Sequence, residues 1–320
     1  MTDIRAAEGR LNGLAARTPL IESAVLNARV GGRVLLKCEN LQRTGSFKFR
    51  GAYNALASLS EEERKRGVVA VSSGNHAQGV AEAARLLGIQ ATIVMPSDAP
   101  TAKRGNTERS GARVVEYDRA TEHRETIADE IVDRTGAVLI HPFDNLQVIA
   151  GQGTVGLEIV DQVETLDVSP DMIVTPCGGG GLSAGVGLAV RSAFPECTVV
   201  LVEPEAFDDY GRSLTAGRRL DNLRSTGSVC DALMAQAPGE ISFEINREHG
   251  AQAVAVSDRD AFEAVALAAR ELKLIVEPGG AVALAALLAG RVDCREKIVV
   301  VILSGGNVDD QVLSRALSAW

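Results

Sequence analysis

No apolar run in this chain reaches the roughly 20 residues a membrane-spanning helix needs; Gly, Ser or a charged residue interrupts each one first. The opening stretch, MTDIRAAEGRLNGLAARTPL, lacks the charged-then-apolar order of a secretory leader. No long basic block offsets the net charge of −9, which arises from 33 Lys and Arg against 42 Asp and Glu. Nucleic acid and anionic membranes are therefore not expected partners, although a local cluster of donors can still hold a small anion. Cysteine is sparse. The five (Cys38, Cys177, Cys197, Cys230, Cys294) are odd in number and form no C-x-x-C pair, and the four scattered histidines complete no zinc pattern. They read as buried, inert thiols of a protein in the reducing cytoplasm. There is no fixed-period repeat, no low-complexity tract and no Pro/Gly/Ser-rich linker, so composition alone marks no domain boundary.

What is present is ordinary for a globular chain: 320 residues, 46% hydrophobic and 23% charged, enough for about two domains. Short β-branched runs recur at 34–38, 68–72, 91–95, 113–117, 137–140, 172–177, 198–203, 253–257 and 297–304. Helical patterns fill most gaps, for example 76–88 and 259–273. Such alternation predicts an α/β protein whose parallel sheets are covered on both faces by helices. Ligands in such sheets gather beyond the carboxyl ends of the strands.

Four segments carry candidate chemistry. Lys48 stands between Phe47 and Phe49 at the mouth of a predicted helix. Its ordinary pKa of about 10.4 leaves it charged and weakly nucleophilic, and desolvation by aromatic neighbours lowers that value. A lysine so placed is suited to forming a Schiff base with a carbonyl; the competing reading is a lysine stem covering an apolar helix end. Strand 68–72 runs into Ser72-Ser73-Gly74-Asn75-His76 and a helix, which is either an anion site or a plain helix cap. Strand 172–177 runs into Gly178-Gly179-Gly180-Gly181 and another helix. Four glycines at a strand-to-helix turn let backbone N–H groups wrap a phosphate. Gly179-x-Gly181-x-x-Ala184, followed about 20 residues later by Glu203, equally satisfies the dinucleotide fingerprint, so an NAD-dependent oxidoreductase stands as a rival. It leaves Lys48 and the Ser72–His76 turn without a task. Last, strand 297–304 ends in Ser304-Gly305-Gly306-Asn307, a turn or a further ligand loop.

Taken in order, Arg17-Thr18-Pro19-Leu20, Ser46-Phe47-Lys48, Ser72 to His76, Ala150-Gly151-Gln152-Gly153-Thr154, Gly178 to Gly181 and Ser304 to Asn307 resemble the fold-type II pyridoxal-phosphate enzymes. Within them the resemblance is to the serine/threonine dehydratases and their relatives serine racemase and hydroxyaspartate dehydratase. It implies two open parallel-sheet α/β domains with the cofactor in the cleft between them: a large domain of 1–67 and 146–320, and an inserted small domain of 68–145. It implies that pyridoxal 5′-phosphate is held on Lys48 beside Phe47, with Gly178 to Gly181 on the phosphate. Asn75 would touch the 3-hydroxyl and Ser304 the ring nitrogen. The substrate carboxylate is expected on Ser72, Ser73, Gly74, Asn75 and His76. Lys48 is expected to take the α-proton, leading to β-elimination and a 2-oxo acid plus ammonia from L-threonine or L-serine. The family's divalent-cation pattern maps onto Glu203, the Phe207 carbonyl and Asp209, oxygen ligands that suit Mg²⁺ or Ca²⁺.

Some positions depart from the family pattern. Cys230-Asp231-Ala232 stands where Ala-Asp-Gly is common, and Gly279-Gly280 where Ser or Thr follows Glu277-Pro278. His141-Pro142-Phe143-Asp144 is similar to the dehydratases, whereas Ser73 is the opposite-face acid of the racemases. Arg124 matches an arginine of racemases and hydroxyaspartate dehydratases that could pair a second carboxylate, and otherwise is a helix-surface arginine. The chain stops soon after Asn307, so a C-terminal regulatory domain and feedback inhibition by isoleucine are not expected. A homodimer is expected. A non-catalytic amino-acid sensor on the same scaffold is the remaining alternative.

Overall fold

The computed structural model describes residues 1–99, 101–118 and 121–318, with side chains for all of these except 101–103. Ten strands appear: β1 (Leu20–Glu22), β2 (Arg33–Cys38), β3 (Val68–Val71), β4 (Ala91–Pro96), β5 (Arg113–Tyr117), β6 (Val138–Leu139), β7 (Met172–Pro176), β8 (Thr198–Pro204), β9 (Gln252–Val256) and β10 (Ile298–Leu303). They form a six-stranded sheet in the order β1-β2-β10-β7-β8-β9 and a four-stranded sheet in the order β5-β4-β3-β6. All pairings are parallel except β1 with β2. Each of the nine expected strands is found. The tenth, β1, is a three-residue antiparallel edge that follows Pro19 and is too short to leave a periodic signal.

The central strands β2, β7, β8 and β10 read as continuous apolar runs because both faces are covered. Along β10, Val299, Val301 and Leu303 enter one hydrophobic cluster, while Val300 and Ile302 enter another on the opposite face. Leu35 and Ile173 likewise face away from their strand neighbours Leu36 and Val174. The four-stranded sheet is covered on one side by Phe49, Ala52, Tyr53 and Leu56 of the helix Lys48–Ala57 and by Ala77, Val80 and Ala81 of the helix Asn75–Leu87. Its other side packs on Ala128 and Ile131 of the helix Arg124–Thr135. The packing unit of this sheet thus reaches outside 68–145 to the helix that begins at Lys48.

One helix differs from the sequence expectation. The pattern 259–273 is α-helical only over Asp258–Leu267, then widens to a π turn over Ala268–Leu272 and stops at Lys273, whose φ is +61°. All five cysteines are buried and unpaired, and burial raises the Cys38, Cys197 and Cys230 thiols to about 12, so none is primed to react.

Two residues beyond Lys48, Arg50 enters a buried ionic cluster. Its Nε and Nη2 each lie 2.8 Å from the Glu39 carboxylate, and its Nη1 lies 2.7 Å from Glu158 Oε1. Lys37, fully buried on β2, donates to Glu158 Oε2 at 2.6 Å and to Thr18 O at 2.8 Å. These contacts tie the first turn of the Lys48 helix to β2 and to the long helix Leu146–Thr165.

Candidate active site

Loops at the carboxyl ends of β3, β7 and β10 meet at Lys48. The segment before it is pinned by β10's end: Ser46 bridges Gly305, Phe47 N donates to Ser304 O at 3.1 Å, and Gly306 N donates to Gly45 O at 2.9 Å. The Lys48 amine donates to Pro142 O at 2.9 Å and lies 5.2 Å from the centre of the Phe47 ring. Burial depresses its pKa to about 8, and the negative charge of Glu277 limits the fall.

Asn75 opens the helix after β3, and both ends of its amide are engaged. Its Oδ1 accepts from Asn307 Nδ2 at 2.7 Å, and its Nδ2 donates to the buried Glu277 carboxylate. Glu277 N in turn donates to Gly305 O at 3.0 Å. Ser72 Oγ accepts from Gly74 N at 3.1 Å, and Ser73 is partly exposed beside it. The first turn of this helix leaves N–H groups without intrahelical partners. The His76 ring turns inward, with Nε2 2.9 Å from Ile140 O; a carbonyl only accepts, so Nε2 carries the proton. Burial, reinforced by the charge of Lys48, lowers its pKa to about 3. His76 therefore offers this turn a backbone N–H and no charge.

The glycine run is walled by aromatic side chains. A Cβ on Gly179 would stand 2.2 Å from the Phe143 ring, and one on Gly180 would stand 2.4 Å from the Tyr210 hydroxyl. Gly180 also has φ +87°, a left-handed conformation that favours glycine. Among the described residues, no protein acceptor takes the N–H of Gly178, Gly179 or Gly180. Phe143 follows Pro142, whose carbonyl holds Lys48, so one short segment joins lysine and glycine run. His141 Nδ1 accepts from Asp144 N at 2.8 Å, and the Asp144 carboxylate caps the helix Glu240–Glu248 through Glu240 N and Ile241 N.

Other predicted residues lie apart from this junction. Arg124 starts the helix Arg124–Thr135, is half exposed and pairs with Glu125 at 2.7 Å. Glu203, at the end of β8, accepts from Tyr210 N and Gly211 N at 2.8 Å each. Each oxygen thus accepts one backbone hydrogen bond and keeps a further lone pair. Asp209 is fully buried; its Oδ1 accepts from Asn222, and its Oδ2 has no partner. Burial pushes Glu203 well above the carboxylate range, with the charge of Asp209 adding to the rise, and burial takes Asp209 to about 7. Among the described residues, no three His, Cys, Asp or Glu side chains cluster as metal ligands. The sequence places Asn307 in a candidate ligand loop and marks Glu277 and Pro142 only as parts of family-like segments; the contacts they make, between distant parts of the chain, are visible only in the structure.

The residues present suit pyridoxal phosphate. A suppressed lysine amine would suit an aldehyde, the glycine N–H groups and a helix start would suit a phosphate, and the Ser304 hydroxyl, without a partner among the described residues, would suit a ring nitrogen. The buried hydroxyl of Ser46 is unpartnered on the same strip.

Comparison with known proteins agrees. Residues 11–305 match the family described as pyridoxal-phosphate dependent enzyme. The chain is 46% identical to L-threo-3-hydroxyaspartate ammonia-lyase of a Pseudomonas species, over 96% of this chain and 94% of the relative. It is 42% identical to L-threonine ammonia-lyase of Thermotoga maritima, over 99% of this chain and 78% of that one. Maize serine racemase superimposes with a TM-score of 0.92 at 37% identity, covering 99% of this chain and 96% of that structure. With its lysine, glycine run and Ser72–Asn75 turn assembled at three strand ends, the chain belongs to the fold-type II pyridoxal-phosphate enzymes, in the branch of carbon–nitrogen lyases that holds the serine/threonine dehydratases.

Proposed function

We propose that the protein is an ammonia-lyase converting a β-hydroxy-α-amino acid, L-threonine or L-serine, to a 2-oxo acid and ammonia. The observation that carries this reading is the Lys48 amine, held at Pro142 O with its pKa reduced to about 8, where the loops of β3, β7 and β10 converge. Bound pyridoxal phosphate supplies the electron sink that makes the α-proton labile. Lys48, uncharged in a substantial fraction near neutral pH, is the base for that proton. The N–H groups and hydroxyls of Ser72, Ser73, Gly74 and Asn75 would receive the substrate carboxylate, and the neutral His76 leaves the positive helix end as the local charge. Ser304 offers a hydroxyl where a carboxylate would hold the ring nitrogen charged. The sink is then weaker, and loss of the β-hydroxyl is favoured over transamination. Elimination discards that hydroxyl as water, and hydrolysis of the enamine releases ammonia.

A divalent cation, Mg²⁺ or Ca²⁺, would sit at Glu203, the Phe207 carbonyl and Asp209. The unpartnered Asp209 Oδ2 supports this. A homodimer acting in the cytoplasm completes the proposal, and no described helix is long and apolar enough to cross a membrane.

3-Hydroxyaspartate is the second reading, favoured by the names of relatives at 46% and 41% identity. Arg124 would then read the distal carboxylate. Ammonia release by the cofactor-loaded, Mg²⁺-supplied protein decides, comparing kcat/KM for L-threonine, L-serine and the 3-hydroxyaspartate isomers. A threonine or serine preference supports the first reading, and a clear hydroxyaspartate preference replaces it. No ammonia from any of them restores the sensor alternative. D-Serine formed from L-serine, read by chiral chromatography, reports whether Ser73 adds racemisation.

A further inference from the structure

The glycine run is held from behind. Gly179 O accepts from Gly239 N at 3.0 Å and from Ser242 Oγ at 2.5 Å. Gly180 O accepts from Ala184 N at 3.0 Å, the first backbone bond of the following helix, and from Ser183 Oγ at 2.9 Å, and it faces Asn246 Nδ2 at 3.4 Å. Ser242 and Asn246 are four residues apart on the helix Glu240–Glu248, share one of its faces, and are 0% and 2% exposed. Asn246 Nδ2 donates its two hydrogens to Ser183 Oγ at 2.9 Å and the Tyr210 hydroxyl at 2.8 Å, and so acts on Gly180 O chiefly by orienting the Ser183 hydroxyl that donates to it.

A trans peptide holds its C=O and the following N–H in one plane, pointing in opposite directions. Anchoring Gly179 O toward this helix therefore aims Gly180 N–H away from it. Anchoring Gly180 O does the same for Gly181 N–H. With no side chain to restrict the glycines, the backbone bonds from Gly239 N and Ala184 N would be left to hold these carbonyls alone, and the side-chain donors narrow the range of peptide orientations further.

We propose that Ser242 and Asn246 are positioning residues for the cofactor's phosphate: they touch neither cofactor nor substrate, and they fix the direction of the glycine N–H donors. This rests on the assignment of Gly178 to Gly181 to the phosphate.

The test compares two ligands that differ in that group alone. Apoprotein is titrated with pyridoxal 5′-phosphate and with pyridoxal, following the visible band formed on Lys48, for wild type, Ser242→Ala and Asn246→Ala. Loss of a hydrogen bond that orients a buried donor is expected to weaken pyridoxal 5′-phosphate about ten-fold in each variant. Pyridoxal should bind each variant within about two-fold of wild type, because its contacts do not include the glycine run. Ser242→Ala removes a single oxygen, so it keeps the test valid if Asn246→Ala unfolds. Equal weakening of both ligands would make the two residues merely structural and overturn the inference. Unchanged affinity for pyridoxal 5′-phosphate, with a wild type that still prefers it to pyridoxal, would overturn the inference and leave the phosphate assignment standing. A wild type with no such preference would remove both.

Discussion

Capture of the cofactor aldehyde by Lys48 should follow the titration of its amine. With a pKa lowered to about 8, roughly one amine in ten is uncharged at pH 7. At the ordinary lysine value of about 10.4 the fraction is roughly one in 2,500. Burial thus gives a gain of about 200- to 300-fold at neutral pH. The assay is stopped-flow absorbance with apoprotein in excess over pyridoxal 5′-phosphate, between about pH 6.5 and 10. The second-order rate should rise close to ten-fold per pH unit at the low end, bend near pH 8 and then level off. Glu277→Gln removes the charge that holds the amine up, so its midpoint should fall below that of the wild type. The same shift sets a stability trend in the apoprotein. The folded state disfavours the charged amine, a cost fully present below pH 8 and relieved as pH rises from there toward the unfolded value. A capture rate still climbing ten-fold per unit above pH 9 would refute the argument, because it would show a solvated lysine.

Three further outcomes follow from named contacts. Gly180→Ala combines positive φ with a clash at the Tyr210 hydroxyl, so it should cost about 1–2 kcal/mol in urea unfolding and weaken pyridoxal 5′-phosphate further in equilibrium titration. Arg50→Met leaves Glu39 and part of Glu158 buried without their guanidinium and should cost about 3–5 kcal/mol by chemical denaturation. Mg²⁺ or Ca²⁺ at about 100 times its Kd should add about 2.7 kcal/mol to folding stability, and Asp209→Asn should abolish that gain in a thermal-shift assay.

The central strands were legible because they are buried on both faces. A run such as Ile298–Leu303 has nowhere to go in solvent, so its sequence announces a sheet interior. β1 was not legible: three residues at an antiparallel edge carry no period. The end of the 259–273 helix was missed because a π turn keeps helical periodicity nearly intact while widening the hydrogen-bond ring. The glycine run, Lys48 and the Ser72–His76 turn each stand at a strand end, where local composition speaks directly. Their partners do not. Lys48 meets Pro142 O across 94 residues of chain, and Asn75 meets Glu277 across 202. A proline carbonyl has no side-chain signature, and nothing beside Glu277 in the sequence points to Asn75. Ser242 and Asn246 lie 63 and 66 residues beyond the glycines they face, and only the structure brings them to those carbonyls.

The claim beneath the whole account is that Lys48 carries the cofactor. Borohydride reduction of the cofactor-loaded protein, followed by proteolysis and mass spectrometry, locates the modified lysine. The account predicts the reduced pyridoxyl adduct on Lys48 alone, and its loss in Lys48→Ala. An adduct on the buried Lys37 or on any surface lysine in place of Lys48, or loading unchanged in Lys48→Ala, would contradict it.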